Sequence, residues 1–79
     1  MKIKILLRGT LTKYFEGDKE RIAEIPDSCT AEEALKLVGI DWTKIDNFGF
    51  VAIDGMRAMI YDKLKDGDEL KAYSKISGG

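Results

Sequence analysis

The chain has 79 residues, of which 44% are hydrophobic and 34% are charged, a composition that suits one compact domain and argues against disorder. Its formal net charge is −1 with both signs interspersed, so we expect no nucleic-acid surface, and no apolar run is long enough to predict a membrane span. The chain has no histidine, which removes the commonest general base and metal ligand and argues against an enzyme and against a metal site. Cys29 is the only cysteine, which excludes an internal disulfide and predicts a cytoplasmic protein.

The first part of the chain predicts a strand followed by a short helical segment. Residues 1–7 alternate between apolar and mostly lysine positions, which is typical of a half-buried strand. Leu11, Tyr14 and Phe15 then have the i, i+3, i+4 spacing of one or two helical turns, and Gly17 ends them. We interpret these aromatic residues as core rather than as a ligand-stacking pair.

A second strand and a capped helix follow. Residues 21–25 predict a strand with Ile22 as its clearest inward residue, stopped by Pro26, which lacks a backbone donor. Thr30 and Glu33 match a capping box at the start of a helix. The predicted apolar stripe of this helix, which ends at Gly39, consists of Ala31, Ala34, Leu35, Leu37 and Val38.

The segment FGFVAI, residues 48–53, is a strand that is apolar on both faces, after a connector that carries Trp42 and Ile45. Strict alternation places Phe48, Phe50 and Ala52 on one face. One main helix can cover only one face of a sheet in a domain of this size, so we expect another protein to cover the other. Asp54-Gly55 then predicts a hairpin, with residues 56–61 as the returning strand.

The last segment, DGDELKAYSKISGG, combines a turn, a strand and a short tail. Asp66-Gly67-Asp68 is a turn signal, and residues 69–73 predict a strand with Leu70 and Ala72 on one face. The five residues that follow could extend roughly 17 Å, at about 3.3–3.6 Å each. Because Gly78 and Gly79 have no side chain, this end could enter a narrow cleft and present its carboxylate. Together the segments predict an α+β domain with the helix on one face of a mixed sheet.

The order of these segments resembles that of the β-grasp sulfur carriers, ubiquitin-like proteins that include the small subunit of molybdopterin synthase (MoaD) and the thiamine-pathway carrier ThiS. The resemblance rests on LLRG at the end of the first strand, IAEIP, the Thr-capped helix, VAIDG and, above all, DGDEL shortly before the terminal SGG. The long connection between Leu7 and Arg21 makes the chain more similar to MoaD than to ThiS.

This resemblance implies a ubiquitin-like β-grasp fold, with the first and last strands parallel at the sheet centre. It implies that a ubiquitin-activating-type adenylyltransferase (MoeB/ThiF-like) adenylates the terminal carboxylate, and that sulfur then replaces AMP to give a thiocarboxylate. Gly79 would carry the AMP and then the sulfur, and Gly78 would clear the entrance of each partner's active site. No bound cofactor and no catalytic residue of this chain is implied, because a large synthase subunit (MoaE-like) or another acceptor enzyme supplies the catalytic groups.

The leading hypothesis is therefore a sulfur carrier for molybdopterin or tungstopterin formation, with residues 1–74 as the β-grasp domain and residues 75–79 as a flexible tail. Its predicted partner-binding surface is the exposed face of the sheet, with Phe48 or Phe50 together with Leu6 and Tyr73, and the tail residues Ile76 and Ser77. Two alternatives stay open. The chain could serve thiamine, cysteine or tRNA sulfur pathways or act as a ubiquitin-like modifier, or it could be a β-grasp binding module with an idle Gly-Gly end.

Overall fold

The computed structural model describes residues 1–75, which form a five-stranded mixed sheet, one α-helix and two 3₁₀ helices. Residues 76–79, four of the five residues of the predicted tail, lie outside the described residues. The elements in chain order are β1 (Lys2–Arg8), the first 3₁₀ helix (Gly9–Phe15), β2 (Glu20–Glu24), α1 (Ala31–Leu37), the second 3₁₀ helix (Trp42–Lys44), β3 (Phe48–Ile53), β4 (Met56–Ala58) and β5 (Glu69–Ser74).

The strand order across the sheet is β2-β1-β5-β3-β4, so the first and last strands lie side by side at its centre. β1 and β5 are parallel, with Ile5 opposite Leu70, and every other neighbouring pair is antiparallel. This topology confirms the predicted mixed sheet and the ubiquitin-like β-grasp arrangement.

One hydrophobic core lies on the inner face of the sheet, the face that packs with α1. It takes alternate residues from β1 and β5 together with Leu11 and Phe15 of the first 3₁₀ helix, both fully buried. The burial of both residues confirms the predicted helical turns, as does the left-handed backbone conformation of Glu16 and Gly17 that follow them. The core members from the strands and α1 include Ile3, Ile5, Leu7, Val51, Leu70, Ala72, Ala31, Ala34 and Leu35.

The helix begins as predicted. The Glu33 N–H donates to Thr30 Oγ1 at 3.2 Å, and the Thr30 N–H donates to Glu33 Oε1 at 3.0 Å, which completes the capping box. The prediction that Leu37 belongs to the apolar stripe is wrong, because its side chain is 60% exposed. Leu37 follows Leu35 by two residues, which places it on roughly the opposite side of the helix.

The inward residue of β2 was also predicted wrongly. Ile22 lies opposite Lys4 on the outer face of the sheet and is 61% exposed. Ala23, opposite Ile3, and Ile25 face the core instead. Pairing with β1, whose odd-numbered residues are buried, decides which face of β2 turns inward, and a single isoleucine in a polar strand does not.

A β-bulge at Gly49 overturns the prediction that Phe48 and Phe50 share a face. The register passes from Phe48 opposite Ser74 to Phe50 opposite Tyr73, so one extra residue of β3 is accommodated between them. Phe48 consequently turns into the core, where it packs near Trp42 with ring centroids 6.5 Å apart. Phe50 points to the outer face.

The predicted return strand 56–61 is shorter in the structure. β4 ends at Ala58, because the carbonyls of Ile60 and Asp62 accept the N–H groups of Glu32 and Ala31 at the start of α1, at 2.8 and 2.9 Å. The chain therefore leaves the sheet to cap the helix. No helix within residues 1–75 is both long enough and apolar enough to cross a membrane.

Candidate functional site

The C-terminal end of β5 lies midway across the sheet, because β5 is its central strand. Its last ladder partners are Arg8 of β1 and Phe48 of β3, opposite Tyr73 and Ser74 respectively. Because β5 pairs with a strand on each side, its register is fixed, and so is the point at which residues 76–79 begin.

Hydrogen bonds fix the end of β5. They join four residues, here called the exit cluster: Thr10, Asn47, Ser74 and Lys75. The Thr10 N–H donates to Ser74 Oγ at 3.3 Å, and the Lys75 N–H donates to the Asn47 carbonyl oxygen at 2.6 Å. The Asn47 side-chain amide donates to Thr10 Oγ1 and links the two flanks. Gly9 has a φ of +66°, which favours glycine, and a Cβ there would lie 2.1 Å from Ser74 Oγ, so this hydroxyl would have to move.

Next to the exit cluster, the outer face of the sheet carries an aromatic patch made of Phe50, Tyr73 and Arg57. The two rings stack with centroids 4.6 Å apart and an interplanar angle of 14°. The Arg57 guanidinium lies over the Phe50 ring at 4.6 Å, a cation–π arrangement. Both aromatic side chains are partly exposed, so the patch combines an apolar surface with a positive charge at the start of the tail.

The predicted partner-binding residues are only partly brought together. Phe50 and Tyr73 are in contact on the outer face, as expected. Leu6 lies on the same face, but it is only 8% exposed and offers little surface. Phe48 is in the core and is not part of this face. Ile76, Ser77, Gly78 and Gly79 lie outside the described residues.

The structure adds functional candidates that sequence reasoning missed. Thr10 and Asn47 contact the strand end across the chain, and no local sequence pattern marks such contacts. Arg57 belongs to a short strand after the hairpin, and its position over Phe50 depends on the strand register.

A groove of about 380 Å³ adjoins the aromatic patch on the β4 side of β3. Its walls come from the second 3₁₀ helix, β3 and the segment after β4. The residues that line it include Trp42, Phe48, Phe50, Arg57, Ile60 and Lys75. A second recess, of about 410 Å³, is lined by Phe50, Arg57, Ser74 and Lys75 and lies beside the exit cluster.

The titratable groups with shifted pKa values have structural roles. Hydrogen bonds from the backbone and hydroxyl of Thr30 lower the pKa of Glu33, and a bond from the Glu69 N–H lowers the pKa of Asp54. Burial, followed by the nearby Glu33 charge, raises the pKa of the Cys29 thiol, so it is held in the protonated, weakly nucleophilic form. Within residues 1–75 no three acidic, cysteine or histidine side chains are grouped to hold a metal ion.

Comparison with known proteins identifies the fold. Neither protein-family models nor curated protein sequences match the chain. Among solved structures, SAMP1 of Haloferax volcanii, a small archaeal modifier protein, is similar over 100% of both chains, with a TM-score of 0.78 and 23% identity. A candidate subunit 1 of the molybdopterin converting factor from Pyrococcus furiosus has a TM-score of 0.74 and 17% identity, over 96% of this chain and 99% of that chain.

A third similar structure, a complex of subunits 1 and 2 of the molybdopterin-converting factor from Helicobacter pylori, has a TM-score of 0.63 and 14% identity over 100% of both chains. These likenesses establish the fold, and the chain accordingly has a ubiquitin-like β-grasp fold.

Proposed function

We propose that the chain is a sulfur carrier that delivers sulfur from its C-terminal glycine in molybdopterin formation. The observation that carries this proposal is the exit cluster, which fixes the end of β5 up to Lys75, directly before the sequence Ile76-Ser77-Gly78-Gly79. The similarity to molybdopterin converting factor subunits supports it.

The chemistry starts from a carboxylate, which is a poor acyl donor. The Gly79 carboxylate attacks the α-phosphorus of ATP and displaces pyrophosphate, which leaves an acyl adenylate. Sulfide (HS⁻) released by a sulfur donor then attacks the acyl carbon, AMP departs, and loss of the remaining S–H proton leaves a thiocarboxylate. Catalytic groups for both steps belong to an activating enzyme of the adenylyltransferase type, since the chain contains no histidine to act as a general base.

The aromatic patch is the proposed contact surface for this enzyme and for the synthase subunit that accepts the sulfur. Aromatic and arginine side chains dominate the binding energy of protein interfaces, and Phe50, Tyr73 and Arg57 lie where the tail leaves the domain. The pairing of subunits 1 and 2 in the Helicobacter pylori complex supports a partner of this kind. In such an assembly the chain is a protein substrate and a non-catalytic subunit, not an enzyme.

Mass spectrometry of the intact chain tests the proposal. Incubation with a cognate activating enzyme, ATP and a sulfur donor should shift the mass by the difference between one sulfur and one oxygen, located at Gly79. A chain extended by one alanine after Gly79 is the matched control and should stay unmodified. Failure to gain sulfur with several cognate activating enzymes would exclude a carrier role.

A second candidate function is a protein modifier, favoured by the similarity to the small archaeal modifier protein. In that case the activated Gly79 carboxylate would form an isopeptide bond with a lysine of another protein. Digestion of cell protein and a search for lysines that carry the C-terminal peptide of this chain would separate the two functions. Conjugates that require Gly79 would favour the modifier, and their absence alongside sulfur loading would favour the carrier.

A further inference from the structure

Part of β3 has an open edge on its β4 side. β4 pairs only with the second half of β3, beginning with Val51 opposite Ala58. Within the described residues, Phe48–Phe50 therefore has no strand partner on that side, where the groove lies. Three residues of unpaired strand, about 10 Å long, offer a template on which an extended peptide can add as a further strand.

The segment that follows β4 does not close this edge, because its backbone is bonded to α1. The Ile60 carbonyl oxygen accepts the Glu32 N–H at 2.8 Å, and the Asp62 carbonyl oxygen accepts the Ala31 N–H at 2.9 Å. Met59 and Ile60 consequently line the groove and do not extend β4. The helix cap thus keeps the edge of β3 open to a partner.

Residues from both faces of the sheet line the groove, so it lies across the strand edge. Phe48 turns into the core, and its ring packs near that of Trp42, while Phe50 and Arg57 are stacked on the outer face. Successive side chains of a strand point to opposite faces of its sheet. A strand added here would therefore place one side chain beside Trp42 and the next beside Arg57.

The charged side chains of the groove are both positive. Arg57 and Lys75 line it, and no acidic residue of the described chain does, although the sequence has 14 acidic and 13 basic residues. No carboxylate within residues 1–75 lies within ion-pair distance of Arg57. Charge complementarity therefore favours an occupant with an acidic side chain on the outer face, next to an apolar one on the inner face.

We propose that the open edge of β3 binds an extended segment of a partner protein in which an apolar residue is followed by an aspartate or glutamate. The segment pairs with Phe48–Phe50, its apolar side chain packs beside Trp42, and its carboxylate binds Arg57. The short open length favours such a segment over a second copy of the chain. An edge strand such as the five-residue β2 brings its whole sheet with it, and β4 leaves only the three residues of Phe48–Phe50 to pair.

Trp42 reports binding, because it lines the groove and is the only tryptophan. The probes are end-blocked pentapeptides that alternate aspartate with leucine or, as the neutral match, asparagine with leucine. The aspartate peptide should shift the Trp42 emission saturably and bind about three- to fivefold more tightly than the asparagine peptide, the effect of one partly exposed ion pair. NMR titration should show the amide signals of Phe48–Phe50 moving with the same affinity.

Substitution of Arg57 tests the carboxylate contact. Arg57→Met should abolish the preference for aspartate over asparagine, because both peptides then lack a cationic partner at this position. Arg21→Met is the matched control and should keep the preference. Its guanidinium also lies over a phenylalanine ring, that of Phe15 at 4.3 Å, but it belongs to β2 at the opposite edge of the sheet.

The absence of a saturable Trp42 shift, or equal affinity for the two peptides, would overturn the inference. Amide shifts that leave Phe48–Phe50 unmoved would also overturn it. So would a Trp42 signal that changes with protein concentration in the absence of peptide, because it would assign the edge to a second copy. The titrations contain no ATP and no activating enzyme, so their failure leaves the sulfur-carrier proposal standing, and a failure of sulfur loading leaves the strand contact standing.

Discussion

At the scale of single residues, Gly49 allows β3 to approach β5 more closely than any side chain would permit. A Cβ at this position would lie 2.9 Å from the Tyr73 carbonyl oxygen and 3.0 Å from two backbone atoms of Ser74. The contacts are with backbone in the centre of the sheet, so no flexible side chain can move aside. Gly49 lacks the positive φ of the turn glycines, which makes this close contact the main reason for glycine here.

Gly49→Ala should therefore destabilise the domain by about 2 kcal/mol, the typical cost of overpacking a well-packed site. Urea unfolding followed by circular dichroism would measure the change in the free energy of unfolding. An unchanged midpoint would show that the bulge can relax, and that the exit of β5 is less tightly held than the contacts indicate.

Thr30 stabilises the start of α1, and its loss has a predictable cost. Thr30→Ala removes the hydroxyl that accepts the Glu33 N–H, so unfolding should become easier by about 1 kcal/mol. Thr12→Ala is the control, because Thr12 Oγ1 makes only a 3.3 Å bond to the Gly9 carbonyl on the exposed surface. Thermal melts of both variants would measure the difference, and equal melting temperatures would contradict the capping role.

The bonds from Thr30 to the Glu33 carboxylate predict that the stability of the fold depends on pH. The pKa of Glu33 is lowered in the folded protein, first by the Thr30 backbone N–H and then by its hydroxyl. A lowered folded-state pKa means that the carboxylate stabilises the fold above its unfolded pKa and that this contribution is lost as the pH falls through the folded value. NMR titration should show the Glu33 pKa rising partway towards normal in Thr30→Ala, because the backbone bond remains.

At the scale of the elements, local signals predicted most of the fold. The alternation in β1, the capping box of α1 and the Asp54-Gly55 hairpin each depend on neighbours in sequence, and the structure confirms all three. The faces of β2 and β3 were not predictable in this way. Ile22 faces outward because of its pairing with β1, and Phe48 faces inward because of the bulge at Gly49.

For the candidate site too, local patterns were predictable and contacts between distant segments were not. Phe50 and Tyr73 were assigned to the outer face from strand alternation, which holds for the part of β3 after the bulge. Contacts between distant segments, such as Thr10 with Ser74, depend on which strands become neighbours, and the residue order within either segment does not reveal them. Leu6 was assigned to the correct face, but side-chain packing on that face hides it.

The aromatic patch leads to a prediction at this scale. Phe50→Ser removes the stack on Tyr73 and the platform for Arg57, so the rate of thiocarboxylate formation should fall by at least about tenfold, the effect of losing an interface hot spot. Ile22→Ser is the matched control, because it removes a 61% exposed side chain from the distant edge strand of the same face. Equal loss in both variants would mean that general surface hydrophobicity, rather than this patch, binds the partner.

At the scale of the whole molecule, the β-grasp topology separates stability from the proposed chemistry. The core lies on the inner face with α1, while the outer face and the end of β5 carry the exposed aromatic and cationic groups. Because β5 is central, the same strand contributes Leu70 and Ala72 to the core and leads to the C-terminus. The position of Lys75, where the described chain ends, therefore depends on the entire sheet.

Two shortened chains test whether stability is separate from the proposed chemistry. A chain that ends at Lys75 keeps both hydrogen bonds of the exit cluster, so its stability should change by less than about 0.5 kcal/mol. A chain that ends at Tyr73 also loses the Ser74 bond to Thr10 and the Lys75 bond to Asn47, and should be destabilised by about 2 kcal/mol, at roughly 1 kcal/mol per hydrogen bond. Under the proposed function, neither chain should accept sulfur, since both lack Gly79. Urea unfolding of the two chains and the full chain would measure the two steps, and a large first step with a small second one would show that residues 76–79 stabilise the domain and are not free to be delivered to a partner.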